Sequence, residues 1–485
     1  MNRIARTWGG RPLLLLLSAA MLAAASGCAT YSSRTADLRP RLAAGDFDKA
    51  LETIAEGTGS RDRLLNLLER GLVLHYADRY TESNEVLARA EQLAEDLYTK
   101  SISQGALSLV TSDESIDYRA RPFELAMVPY YKALNYLYLG QPGEAVVEAR
   151  RAEQLQARAV AATLEGLREQ DRGDLERIRT DPFLLYFSGM LHEQAREVNE
   201  AFIAYRNAAA AYQDLHDLLD VDPPPVLGDD LARTARRLGF TAELDQARHD
   251  YPAVFAHGEV QAPAGPDSTG ASGRLVVLIE TGYVPRKTQV RFDFPVFGGE
   301  AYDDPDYWSW EIYAGMGNFQ ALTAGHEVEY WISVAAPALQ DAAPDPVVGC
   351  RLGAGTAGPV AETVVAANLA REARITFEAE KPTIFFKTIL RGLTKYLATR
   401  QTRKSAGKIA GWLANAFGAA TEKADTRCWS TLPDRILLGR LDLPAGRHDL
   451  RVELLDERGR VMGVQRITGV EIKPGGWTFV SRRVF

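Results

Sequence analysis

The sequence ALNYLYLGQPGEAVVEARRA, residues 133–152, predicts two helices joined by a tight turn and decides the fold of the first half of the chain. Its apolar residues recur at helical spacing on both sides of Gly140-Gln141-Pro142, which forms the turn. Ala133 lies seven residues before the turn, and Ala145 and Ala149 follow it. Because these side chains are small, the two antiparallel helices can approach each other closely.

The same spacing of small residues recurs along residues 38–219, a segment rich in Ala, Leu, Glu and Arg. Gly71 precedes a second turn, Gly189 precedes a third, and a weaker copy begins at Gly45. This is the tetratricopeptide pattern, although its usual Trp-Leu-Gly signature is degraded here. A generic helical bundle is the alternative. We expect a tetratricopeptide-like α-solenoid over residues 28–256.

Solenoids of this kind bind peptides or partner proteins in a groove and rarely catalyse reactions. Two interpretations of Glu148, Arg150 and Arg151 stay open: they pair with a partner in the groove, or they form ordinary ion pairs on the helix surface. The residues that we expect to line the groove are Tyr131, Asn135, Glu148, Arg150 and Arg151.

The second half of the chain is predicted to be rich in β-strands. A flexible linker is expected over residues 257–273, because residues 262–273 include two prolines, three glycines and three Ser or Thr residues. The apolar run 274–280 predicts a buried strand, and this spacing favours a β-sandwich-like domain over residues 274–485. The whole chain is therefore expected to be α+β with more than one domain. Alternating patterns predict the other strands at 290–294, 327–334, 375–380, 436–441, 446–454 and 477–484.

A basic segment interrupts these strands. Residues 381–421 include eight basic residues and no acidic one. We expect a helical hairpin inserted over residues 383–424, which either packs on the sheet with its charges solvated or lies on an anionic membrane. Packing on the sheet is the more usual arrangement. The cations that would face lipid headgroups are Lys387, Arg391, Lys395, Arg400, Arg403, Lys404 and Lys408.

The N-terminus is typical of a secreted, lipid-anchored protein. Three arginines precede a short apolar run that ends near Ala25, which predicts a signal peptide over residues 1–27. The stretch Ala25-Ser26-Gly27-Cys28 resembles the bacterial lipobox, in which the cysteine is acylated and becomes the first mature residue. Several acyl chains on one residue anchor a protein stably. Because Ala29 follows in place of an aspartate, we expect the outer membrane, with the protein on its periplasmic face.

Charge and motifs exclude several classes of function. The net charge is −8, and removal of the three arginines with the signal peptide leaves −11, so nucleic acid is not an expected partner. Walker, GxSxG and HExxH motifs are absent and the seven histidines are scattered, so we expect no enzyme, metal site or cofactor. Cys350 and Cys428 remain after Cys28, and in an oxidising periplasm they either pair or stay separate thiols.

Several motifs resemble a family of uncharacterised proteobacterial lipoproteins with tetratricopeptide-like repeats. In that family a serine is more common than Cys428, which speaks against a Cys350–Cys428 disulfide as a family feature. The resemblance implies an outer-membrane lipoprotein, often encoded near lipoproteins that activate peptidoglycan synthases, and it supplies no catalytic residues. The motifs cover most of the mature chain and comprise residues 111–118, 123–124, 130–137, 144–151, 282–287 and 424–433.

These observations favour a membrane-anchored periplasmic lipoprotein that acts as a protein–protein interaction or assembly scaffold in the cell envelope, with envelope proteins as partners. One alternative is a carbohydrate- or peptidoglycan-binding module that uses the aromatic cluster around Trp308 and Trp310. Another is a lipoprotein whose basic segment acts at the membrane surface.

Overall fold

The structure describes only part of the chain, in eight ranges. Cys28, Lys408, Trp308, Trp310 and most of the predicted linker lie outside it, as does the predicted signal peptide. None of the helices within it combines the length and the apolar composition that a membrane span requires. A computed structural model describes residues 31–56, 60–99, 116–257, 272–297, 328–342, 345–355, 360–406 and 423–485.

The first half of the chain folds into consecutive α-helices. Pro122, Pro142 and Pro182 each occupy the first helical position, where the missing N–H costs nothing. Gly140 ends one helix in the left-handed conformation that glycine adopts without strain. The helices are α1 (Tyr31–Arg34), α2 (Leu38–Ala43), α3 (Phe47–Glu56), α4 (Arg63–Tyr76), α5 (Tyr80–Thr99), α6 (Pro122–Tyr138), α7 (Pro142–Glu165), α8 (Glu169–Arg177), α9 (Pro182–Gln194), α10 (Val198–Leu219), α11 (Leu227–Leu238) and α12 (Thr241–Asp250).

Most of these helices pack in consecutive pairs, α2 with α3, α4 with α5, α6 with α7, α9 with α10 and α11 with α12. Small residues allow the close approach within a pair. A Cβ added at Gly71 would lie 2.4 Å from Leu87, and one added at Gly189 would lie 2.4 Å from Tyr205. The glycines therefore mark contacts that a larger side chain would disrupt.

The second half contains ten strands and one long helix within the described ranges. The first sheet has the strand order β10-β1-β7-β6, and the second has the order β5-β4-β8-β9. Strands β2 and β3 form a separate antiparallel ribbon. The elements are β1 (Ser272–Thr281), β2 (Arg286–Phe297), β3 (Val328–Gln340), β4 (Gly349–Ala354), β5 (Val360–Glu362), β6 (Val364–Asn368), α13 (Leu369–Ala406), β7 (Arg435–Pro444), β8 (Gly446–Leu455), β9 (Val461–Ile472) and β10 (Trp477–Arg483).

Strand β1 is buried on both faces, which explains its uninterrupted apolar sequence. On one face, Val276 and Leu278 belong to the core that includes the helices. On the other, Leu275 and Val277 pack with residues of the second sheet, such as Val452 of β8. The order of layers is therefore helices, first sheet, second sheet, and one core joins the helical half to the first sheet. The α+β class is confirmed.

Two predictions for the second half were wrong. Residues 375–380 were expected to form a strand but lie within α13, where Ile375, Phe377 and Ala379 are all buried. Their alternation imitates a strand because this part of the helix is covered on more than one side. The basic helix also begins at Leu369 rather than at residue 383. The second arm of the expected hairpin falls on residues 407–422, which lie outside the described ranges.

Candidate functional site

Two of the residues expected to line an open groove are fully buried. Tyr131 and Asn135 on α6 are completely inaccessible to solvent. The Asn135 amide nitrogen donates to Ser83 Oγ at 2.9 Å and to Asn84 Oδ1 at 2.8 Å, while its oxygen lies 2.6 Å from His75 Nδ1. The prediction that these two side chains meet a partner is therefore wrong, because their polar atoms are already satisfied within the chain.

The charged residues of the predicted groove form ion pairs between neighbouring helices. Glu148 lies 2.8 Å from Lys132 Nζ, which also contacts Glu91 at 2.9 Å. Arg151 contacts the same Glu91 at 3.2 Å. Arg150 pairs separately at the surface with Glu197 on the following pair of helices, at 2.8 Å. These contacts correspond to the ion-pair alternative, and the buried Lys132 at their centre was not predicted.

The first sheet covers the side of the helices that carries Tyr131. Glu280 of β1 is fully buried and accepts hydrogen bonds from Tyr76 at 2.6 Å and from Tyr130 at 3.3 Å. Burial raises the pKa of Glu280 above its ordinary range, although the hydrogen bond from Tyr76 opposes this shift. Since Tyr76 lies on α4 and Tyr130 on α6, a single sheet residue joins two helical pairs.

A second polar cluster joins the sheet to the last helices. Asp230 of α11 is fully buried and pairs with Arg440 of β7 and with Arg233 at 2.7 Å. Tyr186 of α9 donates to the other carboxylate oxygen at 2.6 Å. Burial by itself would raise the pKa of Asp230, but Arg440 and Arg233 outweigh it and hold the pKa below its ordinary value. We call α4, α6, α9 and α11 the inner helices. Helices α4, α6 and α11 contact the first sheet through Glu280 or Arg440, and α9 contacts Asp230 of α11.

The segment 424–433 completes this covering layer. Trp429 is fully buried, and its backbone N–H donates to Glu124 Oε1 at 2.7 Å. Ser430 and Thr431 donate to Glu69 of α4, which is also fully buried. Burial raises the pKa of Glu69 to about 7 despite these hydrogen bonds. The surface of the inner helices is therefore covered by the chain's own residues.

A cleft of about 690 Å³ lies at one end of the inner helices. Its walls are the C-terminal ends of α4, α6 and α9, represented by His75, Tyr138 and Gln194, together with strands β9 and β10. Among the described strands, each of these two has a hydrogen-bonded neighbour on one side only, so both lie at the edge of a sheet. We call this feature the edge cleft.

Strand β10 presents its unpaired side to the edge cleft. Val484 N–H donates to the carbonyl oxygen of Glu280 in β1 at 2.8 Å, so the backbone N–H of Val484 faces β1. Ser481 N–H donates instead to Tyr138 Oη at 2.8 Å, so alternate N–H groups point away from β1. By this alternation the backbone of Phe479 is directed away from β1 as well. An edge of this kind is a template for an added strand.

The basic helix α13 packs on the β2–β3 ribbon. A Cβ added at Gly392 would lie 2.7 Å from Ile332, and Arg391 is only 2% exposed. The expectation that Arg391 faces lipid headgroups was therefore wrong, since the helix turns this side chain inward. Lys387 is half-buried and lines a second pocket. The side chains of the remaining predicted membrane-facing residues lie outside the described set; these are Lys395, Arg400, Arg403, Lys404 and Lys408.

Cys350 and Cys428 are separate thiols. Cys350 lies in β4 between the two sheets, and burial raises the pKa of its thiol to about 12. Cys428 belongs to the segment that covers the inner helices, and burial also raises its thiol pKa. Of the two alternatives for Cys350 and Cys428, the structure therefore has the separate thiols and not the disulfide. Within the described ranges, His, Cys, Asp and Glu residues form no cluster of three or more that could hold a metal ion.

Comparison with known proteins does not assign a family. The chain matches none of the protein-family models and none of the curated proteins to which it was compared.

Proposed function

We propose that this protein is an outer-membrane lipoprotein, acylated at Cys28, that binds an extended segment of an envelope protein and so acts as an assembly adaptor. In this proposal the paired helices are a tetratricopeptide-like solenoid and the two four-stranded sheets are a β-sandwich. The proposal also assigns the chain to the lipoprotein family that its motifs resemble. The signal sequence, the spacing of small residues and the paired packing of the helices support these assignments.

The observation that carries the proposed binding site is the unpaired side of β10 in the edge cleft. An extended peptide that adds a strand there would gain main-chain hydrogen bonds at Phe479, whereas Ser481 N–H is already bonded to Tyr138 Oη. Tyr80 and Tyr138, whose rings are 4.9 Å apart, form an aromatic wall beside the strand. Such a wall offers contact area at low entropic cost, because tyrosine has few rotatable bonds. The inner helices are already covered, so we assign binding to the cleft instead.

The test is site-specific photocrosslinking in cells. A photoreactive residue at Tyr80 or at Lys473, both of which line the edge cleft, should give an adduct of the same discrete mass. The matched control is Arg158 on α7, whose side chain is 73% exposed and lies outside the cleft. An adduct from Arg158 alone, or the same adduct from all three positions, would contradict the assignment.

The anchor is tested separately by metabolic labelling with a radioactive fatty acid. The natural chain should incorporate the label and fractionate with the outer membrane, whereas Cys28→Ser should lose both properties. Retention of label in Cys28→Ser would show that the acylated residue lies elsewhere.

A second candidate function, membrane-surface binding by α13, is favoured by two exposed apolar side chains. Phe386 and Leu397 are 62% and 59% exposed, and their spacing of eleven residues puts them on one face of the helix. If this face enters a membrane, Phe386→Ser should reduce binding of the Cys28→Ser chain to anionic vesicles. Unchanged binding would remove this candidate.

A further inference from the structure

A second pocket, of about 230 Å³, is lined by more cations than anions. It lies between the start of α6, the end of α7, the middle of α13 and strand β2, and we call it the cationic pocket. Five cations and three carboxylates line it, so its formal charge is positive by two. The cations are Arg119, Arg121, Lys287, Lys387 and Arg427, and the carboxylates are Asp117, Glu380 and Asp425.

Two of the carboxylates are already neutralised by arginines. Glu380 lies 2.9 Å from Arg121 Nε, and Asp425 lies 2.8 Å from Arg427 Nε. Both arginines remain charged, because the Glu380 and Asp425 carboxylates raise the pKa values of Arg121 and Arg427 above the ordinary value despite burial. The charge excess of the pocket is therefore carried by the remaining cations.

Lys287 is the pocket cation whose positive charge is least compensated by a neighbouring carboxylate. The residue is only 7% exposed, and it lines the pocket. Among the described residues it forms no hydrogen bond through its ammonium group and no ion pair. Burial, followed by the nearby Arg121, lowers the pKa of Lys287, while Glu380 opposes the shift. A buried ammonium without a partner is unfavourable, so an anion bound in the pocket would compensate the charge of Lys287.

Lys387 and Arg119 add two further cations without ion pairs inside the described ranges. Lys387 approaches the pocket from α13, and Arg119 approaches it from the segment before α6. Asp117 attracts Arg119 only at longer range. Lysine offers a compact charge and arginine a planar fork of donors, which is the combination that binds phosphate in many proteins.

We propose that the cationic pocket binds a phosphate monoester, with Lys287 as its central ligand and Lys387 and Arg119 on either side. A monoester carries a charge of roughly −1.5 to −2 at neutral pH, which matches the excess of two positive charges. The volume is below the roughly 300–1,000 Å³ of pockets for drug-sized ligands, so the substituent on the phosphate is small or extends out of the pocket.

The position of the pocket suggests two sources for this phosphate. Ser32 Oγ lies 3.0 Å from Thr426 Oγ1, and Thr426 stands between the two pocket residues Asp425 and Arg427. Four extended residues span at most about 14 Å, so an acylated Cys28 would hold the pocket close to the membrane surface. This step alone rests on the proposed lipid anchor. The phosphate then belongs either to a lipid headgroup or to a soluble metabolite.

The experiment measures binding of sn-glycerol 3-phosphate to the full chain carrying Cys28→Ser, by calorimetry and by thermal shift. We expect Lys287→Met and Lys387→Met each to weaken binding at least tenfold. Lys287→Met should also raise the melting temperature of the ligand-free protein, since it removes an unpaired buried charge. The control is Lys49→Met on α3, which removes an exposed lysine paired with Asp46 and should leave binding unchanged.

A vesicle arm distinguishes the two sources. If vesicles of phosphatidylcholine with phosphatidic acid capture the protein through Lys287 while glycerol 3-phosphate does not bind, the ligand is a lipid headgroup. The opposite result identifies a soluble phosphate. Failure of both ligands, or binding that Lys287→Met and Lys387→Met leave unchanged, would overturn the proposal. None of these results bears on the edge cleft, which is tested by crosslinking.

Discussion

Asp230→Ala should destabilise the protein strongly, because the buried carboxylate is the acceptor for three donors. Removing it leaves Tyr186 without its 2.6 Å hydrogen bond and leaves Arg440 with Asp229 at 4.0 Å as its remaining ion pair. Arg233 keeps a contact to Glu193 at 2.6 Å. Losing two hydrogen bonds to charged groups and one to a hydroxyl costs about 3 to 5 kcal/mol, the usual range for breaking a buried pair.

Urea unfolding followed by tryptophan fluorescence measures this loss. Arg440→Met should also be destabilising, and the double variant should be less destabilised than the sum of the two by at least about 1.5 kcal/mol, because no unpaired charge then remains. Glu82→Ala is the control, since its 2.6 Å contact with Arg79 is as short but exposed, and such pairs contribute little to stability. Equal costs for Asp230→Ala and Glu82→Ala would refute the assignment of a buried interface between helices and sheet.

Three further predictions concern other buried contacts of the protein. The pKa of Glu69 is raised from 4.5 to about 7, so the folded protein holds this proton more tightly than the unfolded chain does. The free energy of unfolding of the natural chain, relative to that of Glu69→Gln, should therefore fall by about 3 kcal/mol from pH 4.5 to pH 7. Unfolding at several pH values measures this difference, and a difference that does not depend on pH would contradict the prediction. Gly189→Ala should lower the free energy of unfolding in urea by about 1 to 2 kcal/mol, because the added Cβ would lie 2.4 Å from the Tyr205 ring. The control is Gly143→Ala, which has open space around it and should be neutral or stabilising. The Cys350 thiol, with a pKa of about 12, should resist maleimide labelling in the native protein and react after unfolding; rapid native labelling would show that the two sheets are not packed together.

The helical half was predictable because its signals are local. Gly71, Ala133 and Gly189 recur at one distance before a turn, and each marks a helix that packs closely on the next one. The strands β1, β7, β8 and β10 were also found from apolar runs or alternation. Strands β4, β5, β6 and β9 were missed, since they are short or interrupted by glycines such as Gly353 and Gly469, and their pairing is decided by distant residues.

The binding site was less predictable because long-range contacts determine it. Tyr131 and Asn135 carry the polar groups that a groove would use, and nothing in the sequence near them reveals that β1 and residues 424–433 cover the same face. Glu280 was noted only as the end of a strand, although it joins β1 to two helices. The edge cleft likewise depends on which strand has an unpaired side, and that requires the order of strands in the sheet.

The central claim is that the inner helices and the first sheet share one core, so that the chain itself covers the surface where a groove was expected. The most direct test is to insert a protease recognition site at Ser268, within the segment expected to be a linker, and to cut the purified protein there. We predict that the two fragments remain associated through size-exclusion chromatography and unfold in a single transition whose midpoint is the same by circular dichroism and by tryptophan fluorescence. Fragments that separate without denaturant, or that unfold in two independent transitions, would contradict the account.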